Sequence, residues 1–295
     1  MAVLKALRFT VEEACEGCLI KEFLRRQSVS VSLVKQAKNC PNGIKLNGQK
    51  AITIDKVHTG DRVEIILPPD DDGNVIAAQI PLQIVYESDY AMVLEKPANM
   101  PVHPSRLHLT DTLANGFCAL MQQRGEQALF RAVNRLDRNT SGLVLCAMNA
   151  YAAPILAKSV QKKYTAIVEG DMPLGEGTIE APIARQEESI ITRCVDAKGQ
   201  YACTKYRVLA CGGGYSKVEC TPVTGRTHQI RVHMASLGHP LAGDDLYGGH
   251  LTHIKRHALH CTALQFIHPV TKQLLQFEST FPADMEIFDK LMYVV

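Results

Sequence analysis

The sequence predicts an α+β protein: a mixed, mainly antiparallel sheet with flanking helices, preceded by a smaller α/β unit. Three observations carry this reading. From about Val75 onward, short runs rich in Val, Ile, Leu and Tyr are punctuated by Gly, Asn, Asp and Pro, the pattern of strands joined by turns. Helical periodicity is confined to a few stretches among many short strands, which makes a mostly antiparallel mixed sheet the natural reading. Finally, the polar segment PPDDDGN (68–74) divides the chain, so that residues 1–68 form one unit, 69–80 a linker and 81–295 a second unit.

The elements follow in order. CLIKEFLRRQ (18–27) places Leu19, Phe23 and the Leu24 edge on one helical face, with Lys21, Arg25 and Arg26 outside. SVSLVKQAKN (30–39) repeats the pattern with Val31, Val34 and Ala37 inward and Lys35 and Lys38 outward. GIKLNGQKAITIDKVHTGDRVEIIL then reads as three strands, joined by an Asn47-Gly48 hairpin turn and a Thr59-Gly60-Asp61 turn. In the second unit, LQIVYESDYAMVLEKP is a hairpin about ESDY, and FRAVNRL and GLVLCAM are strands on either side of a polar loop. AYAAPILAKSVQKK (150–163) reads as a helix and YTAIVEG as a strand, and further strands run to YSKVECTPV. CGGGY (211–215) lacks the Gly-Lys-Ser/Thr of a phosphate loop and reads as a hairpin turn. Thr227 is placed to cap a helix over HQIRVHMASL that stops at Gly238.

Composition narrows the function classes. Hydrophobic residues make up 46% and charged residues 21% of 295 positions, ordinary values for a globular protein with its own core. No run of eighteen apolar residues is present to span a membrane, and the start lacks a secretory apolar core, so a cytoplasmic address is expected. Ten cysteines without an export signal predict reduced thiols. Cys15 and Cys18 form a CxxC with no second pair at zinc spacing, and read as small apolar side chains in a helix. Residues 1–68 carry 11 Lys+Arg against 7 Asp+Glu, a balance of +4, whereas the remainder carries 21 against 23, or −2. A basic small unit beside a near-neutral large one suggests an attached nucleic-acid-binding module.

Three polar clusters carry candidate chemistry. EKPANMPVHP (95–104) is a proline-rich loop holding Lys96 and His103. NRLDRNTSGL (134–143) sets Asp137 between Arg135 and Arg138, inside the loop flanked by apolar strands. TGRTHQIRVHMASLGHPLAGDDLYG (224–248) is dense in Arg, His, Gly and Asp. A carboxylate in a water-poor loop stays ionised only if it is paired. Asp137 is therefore either a loop ion pair that fixes a turn or a nucleophile or base held by an arginine, with Arg226 and Arg231 in reach as partners. His250, His253, His257 and His260 are spaced to share a helix face, but Cys261 is the one further ligand type at suitable spacing, and no metal is expected.

NRLDRNTSGLVL resembles the HRLDxxTSGLLL motif of the RluA family of RNA pseudouridine synthases. In the family's order, KPANMPVHP resembles its first motif, KKYTAIVEG (162–170) its tyrosine-bearing strand and GRTHQIRVHMASLGHPLAGDDLYG its third motif, while ALHCTALQFIHP (258–269) matches its closing segment. The N-terminal stretches IKEFLRRQ, LVKQAK, GIKLNGQKA and VHTGDRVEI resemble a small RNA-binding domain first described in a ribosomal protein. The resemblance implies isomerisation of uridine to pseudouridine in RNA, with no cofactor and no metal. It implies Asp137 as the catalytic aspartate, Tyr164 as the residue that stacks on the base and Arg231 as the partner that keeps Asp137 ionised. It also implies that Arg135 enters the space left by the extruded nucleotide.

A buried scissile bond requires that nucleotide to be flipped out, and a basic auxiliary domain offers phosphate contacts that offset the cost. Ribosomal RNA is the favoured substrate, with transfer RNA, or a non-catalytic RNA-binding or RNA-folding role, as alternatives; a monomer is expected. His228 and His233 stand open as RNA contacts or structural hydrogen-bonding residues. One departure is Asn134, where the family usually has histidine. Asparagine can hydrogen-bond but cannot titrate near neutrality.

Overall fold

The structure, a computed structural model, describes residues 6–67, 75–126 and 128–293. The linker read from PPDDDGN, 68–74, lies outside the described residues.

Residues 6–67 fold around one apolar cluster. β1 (Ala6–Thr10), β2 (Ile44–Leu46), β3 (Gln49–Lys50) and β4 (Arg62–Ile66) form a sheet in the order β1-β4-β2-β3, and α1 (Ile20–Arg26) and α2 (Val31–Lys38) complete the unit. Ile20, Phe23 and Leu24 of α1 are buried, so the inward face begins one residue later than Leu19. In α2 the inward residues are Leu33 and Ala37, and Val31 is 67% exposed. The cap explains the rotation: Ser30 Oγ accepts from Leu33 N at 3.1 Å, which leaves Val31 as the first helical residue, on the outer side. The expected second strand is only Gln49–Lys50, because Asp55 Oδ2 accepts from Ile52 N at 2.8 Å and folds the following residues into a turn. Strand β1 was not legible; its partner β4 lies more than fifty residues away and no turn signal marks it.

The second unit is built on a ten-stranded sheet. β5 (Gln83–Glu87) and β6 (Ala91–Lys96) form the ESDY hairpin; β7 (Arg131–Ala132) and β8 (Ser141–Ala147) flank the polar loop. β9 (Gln161–Glu169), β10 (Gly175–Glu180), β13 (Cys203–Gly212), β14 (Tyr215–Pro222), β15 (Leu259–Ile267) and β16 (Leu274–Glu278) complete it, while β11 (Ile183–Arg185) pairs with β12 (Arg193–Val195) as a separate ribbon. The order along the sheet is β10-β13-β14-β9-β15-β8-β6-β5, with β16 on β15 and β7 on β8. The pairings are antiparallel except β15 with β8, so the mixed, mainly antiparallel α+β reading holds. The Asn-Thr-Ser-Gly turn has a structural reason here. Gly142 adopts φ +110, and a Cβ on it would lie 2.3 Å from the Cys261 carbonyl oxygen, so only glycine lets β8 approach β15.

Helix α3 (Leu113–Gln123) was not legible in the sequence. Seven of its residues are buried, from Leu113 to Met121, and the Asn115-Gly116 pair in its first turn reads as a turn signal. Helix α4 (Ala152–Ser159) ends earlier than predicted, and Gln161–Lys163 belong to β9. Helix α5 (Gln229–Ser236) is preceded not by a Thr227 cap but by His228 in a left-handed conformation, φ 57. Helix α6 (Glu286–Tyr293) closes the described chain. His250 to His257 form no helix, and no cluster of metal-ligating side chains occurs among the described residues. All ten cysteines are free thiols, with Cys15 ending a short 3-10 turn. No helix among the described residues is long and apolar enough to cross a membrane.

Candidate active site

The loop between β7 and β8 is polar, yet it is fastened at every side by buried groups. At its start, Asn134 is 4% exposed and acts like an extra strand residue: its amide Nδ2 donates to Leu143 O at 3.1 Å and its Oδ1 accepts from Leu145 N at 2.8 Å. The asparagine in the family's usual histidine position is thus a staple onto β8, a task that requires a donor and an acceptor but no titration. The turn itself closes through Thr140 N donating to Asp137 O at 3.1 Å.

Behind the turn, Lys96 is fully buried and donates to the carbonyls of Pro97 and Met100 at 2.8 Å and of Arg138 at 3.1 Å. One ammonium therefore joins the proline-rich loop to the Asp137 loop. Burial pulls its pKa down to about 7, with the charge of Asp137 opposing. Three carbonyl acceptors need all three ammonium protons, which favours the charged form. At the far end, Arg256 donates to Asn139 O at 3.1 Å while its fork engages Asp284 at 2.7 and 2.9 Å. His257 Nε2 lies 2.8 Å from Thr140 Oγ1.

Asp137 meets its partner from the third cluster. Arg231, on α5, makes a two-pronged ion pair with buried Asp244, 2.7 Å on each side, and extends its remaining terminal nitrogen to Asp137 Oδ2 at 3.3 Å. Its guanidinium lies 4.9 Å from the Tyr247 ring centroid. Burial works against its charge, but the hydrogen bonds to Asp244 and the charges of Asp244 and Asp137 outweigh it, and its pKa is held above the ordinary value. Asp137 is partly exposed, its side chain at 29%, and Asp244 is not, at 1%. Arg226 turns away and donates to Tyr201 O at 3.0 Å, so of the two arginines in reach only Arg231 is the partner.

Tyr164, on β9, lines the same cavity as Asp137. Burial first, then Cys261 and Asp137, push its pKa well above 10, so the group offered is a neutral phenol. The cavity is about 470 Å³ and is also lined by His103, His228 and Arg135, a volume in the range of small-molecule clefts. Arg135 is exposed at its rim and makes no ion pair among the described residues. His103 packs edge-on against Phe130, with centroids 5.2 Å apart.

Residues 89–236 match the family model described as RNA pseudouridylate synthase. The chain is 38% identical over 272 residues to the uncharacterized RNA pseudouridine synthase YjbO of Bacillus subtilis, covering 90% of this chain and 96% of that protein. The chain belongs to the RluA family of RNA pseudouridine synthases. It is an isomerase that acts on RNA. Its relatives include ribosomal large subunit pseudouridine synthase D of Haemophilus influenzae, 35% identical over 82% of this chain and 80% of that one. Among solved structures, human RNA pseudouridylate synthase domain containing 1 superposes with a TM-score of 0.55 at 27% identity, over 77% of this chain and 98% of that one.

For a pseudouridine synthase, the arrangement brings Asp137, Tyr164 and Arg231 to one cavity from a loop, a strand and a helix that are far apart in sequence. Asp244 and Tyr247 were not singled out from the sequence, although both lie in GDDLYG. The signal was weak because neither lines the cavity: Asp244 acts through Arg231, and Tyr247 through Arg231 and His228.

Proposed function

We propose that this synthase converts specific uridines of ribosomal RNA to pseudouridine, with Asp137 as the reacting carboxylate. The observation that carries the reading is the convergence on one cavity of a half-open, arginine-paired carboxylate, a neutral phenol and a guanidinium anchored elsewhere. The glycosidic bond between N1 and C1′ of the sugar breaks, the base turns over Tyr164, and C5 bonds to C1′ in its place. The proton that C5 then gives up is balanced by the one that N1 takes up. Asp137 acts on the sugar by one of two routes. It adds to C1′ through an ester bond that breaks again when C5 attacks, or it takes a proton from the sugar that it returns when C5 bonds. In both routes Arg231 donates to the reacting carboxylate. Arg135, exposed and unpaired at the rim, fills the gap left in the RNA by the extruded nucleotide.

Ribosomal RNA is supported by the relatives named for the large ribosomal subunit. It is supported further by the basic residues 1–68, which we assign as an RNA-binding domain joined through 69–80 to a catalytic domain at 81–295. In this reading the enzyme works as a monomer in the cytoplasm.

The test is an Asp137→Asn variant expressed in cells that lack the natural chain, with pseudouridine mapped across total RNA. Product at the enzyme's sites should fall by roughly a thousandfold or more, as for loss of other reacting side chains, while the purified variant still binds the RNA. Sites confined to transfer RNA would move the substrate assignment, and full activity of the variant would remove Asp137 from the chemistry.

A further inference from the structure

The hydrogen bonds around Tyr247 favour one position for a proton. The Tyr247 hydroxyl oxygen accepts from the backbone N–H of Arg193 at 2.9 Å. Its own proton then has one acceptor among its described partners, His228 Nδ1 at 2.7 Å. With Nδ1 occupied as an acceptor, a neutral imidazole carries its hydrogen on Nε2. That nitrogen is the one aimed at the active site, 3.8 Å from Asp137 Oδ2. Burial, reinforced by Arg231 and opposed by Asp137, holds the His228 pKa below 6.5, which keeps the ring in this neutral form at pH 7.

The backbone agrees with a functional placement. His228 has φ 57 and ψ 20, a left-handed conformation that is unfavourable for a residue with a Cβ and is characteristic of positions held by their surroundings. No side-chain cap of α5 requires it. The conformation points the imidazole into the cavity, edge-on to Tyr247 with centroids 5.7 Å apart.

We infer that His228 is a second, neutral hydrogen-bond donor to Asp137, a positioning residue whose Nε2–H closes onto Oδ2 when the flipped uridine fills the cavity. The inference rests on the reading of Asp137 as the reacting carboxylate. At 3.8 Å the contact is longer than a hydrogen bond, and donor distances of this kind shorten when substrate excludes water. Arg231 and His228 then both hold Oδ2, and Oδ1, which receives neither, is the oxygen presented to the sugar. Tyr247 serves both donors: its ring lies against the Arg231 guanidinium and its hydroxyl sets the tautomer of His228.

Two substitutions separate this role from a structural one. Asparagine tolerates the left-handed conformation at position 228 but is too short to reach Asp137. Glutamine extends an amide N–H to about where Nε2 lies. His228→Asn should lower kcat roughly 10- to 100-fold, the worth of one hydrogen bond to a charged group, with KM for the RNA within about threefold and thermal unfolding close to that of the natural chain. His228→Gln should recover most of that loss. Independently of activity, ¹⁵N-histidine NMR should show the Nε2–H tautomer in the natural chain and its loss in Tyr247→Phe.

An Nδ1–H tautomer would overturn the inference. So would a His228→Asn defect carried by KM alone, kcat within twofold, or a glutamine variant no better than asparagine. If Asp137→Asn is inactive while His228→Asn is unaffected, only this inference falls. An active Asp137→Asn removes the reading beneath it as well.

Discussion

The two units of this enzyme treat charge in opposite ways. Among residues 6–67 the buried side chains are apolar apart from Thr53. Charged groups there pair near the surface, as Arg8 does with Glu64 at 3.5 Å. Around the Asp137 loop, by contrast, Lys96, Arg231, Asp244 and Arg256 are all buried. Taking charges out of water costs several kcal/mol each unless they are paired and hydrogen-bonded, so their concentration at one loop needs a reason. The partners supply it. Lys96 and Arg256 donate to carbonyls of the loop and its neighbours, and Arg231 reaches Asp137. A polar turn between buried strands cannot complete its own hydrogen bonds, and charged side chains with many donors complete them while fixing its shape.

The sharpest break of this contrast pairs two arginines. Arg231→Met leaves Asp244 buried and uncompensated, and should cost about 3–5 kcal/mol in denaturant unfolding, together with nearly all activity. Arg8→Met, at a surface pair, should cost about 1 kcal/mol or less and leave kcat unchanged. Equal costs at the two sites would show that the cleft charges are not specially committed.

Lys96→Met should have a smaller effect, about 1–3 kcal/mol, as its three carbonyls lose their donor, with a fall in kcat because the Asp137 loop loosens. It also carries a pH signature. The lysine titrates near 7 when folded, against 10.5 ordinarily, so between those values the unfolded chain binds more protons and stability rises with pH. The three carbonyls narrow that window from below by favouring the ammonium. Unfolding free energies measured from pH 7 to 10.5 should therefore climb in the natural chain and climb less in Lys96→Met. Identical slopes would exclude Lys96 as their source.

The same contrast explains what the sequence reveals. Strands β6 and β8 are apolar runs with turn residues at their ends, and their local pattern suffices. Helix α3 is hidden because Asn115-Gly116, a turn signal, lies in its first turn, and β1 because its meaning lies in a distant partner. In the site, Asp137 stands out as a lone carboxylate in a polar loop. Its pairing with Arg231, 94 positions away, came from the resemblance and not from spacing. Lys96 was visible as a residue but not as a device, since its partners are backbone carbonyls, which no side-chain pattern encodes.

The smallest effect tests the boundary between the two units. Tyr151, from the second unit, is 2% exposed within the first unit's apolar cluster, with ring centroids 6.1 Å from Phe9 and 6.4 Å from Tyr90. Its hydroxyl donates to Gln27 O at 3.3 Å, a long, part-buried bond. Tyr151→Phe keeps the ring and removes only that bond, so it should cost about 1 kcal/mol or less. The Asp137 loop is fastened by its own buried charges and not by this contact. The kcat on a short RNA substrate should therefore stay at the natural value while the unfolding midpoint falls slightly. A clear drop in kcat would show that the apolar unit steers the charged one, and that the division of labour drawn from their burial is wrong.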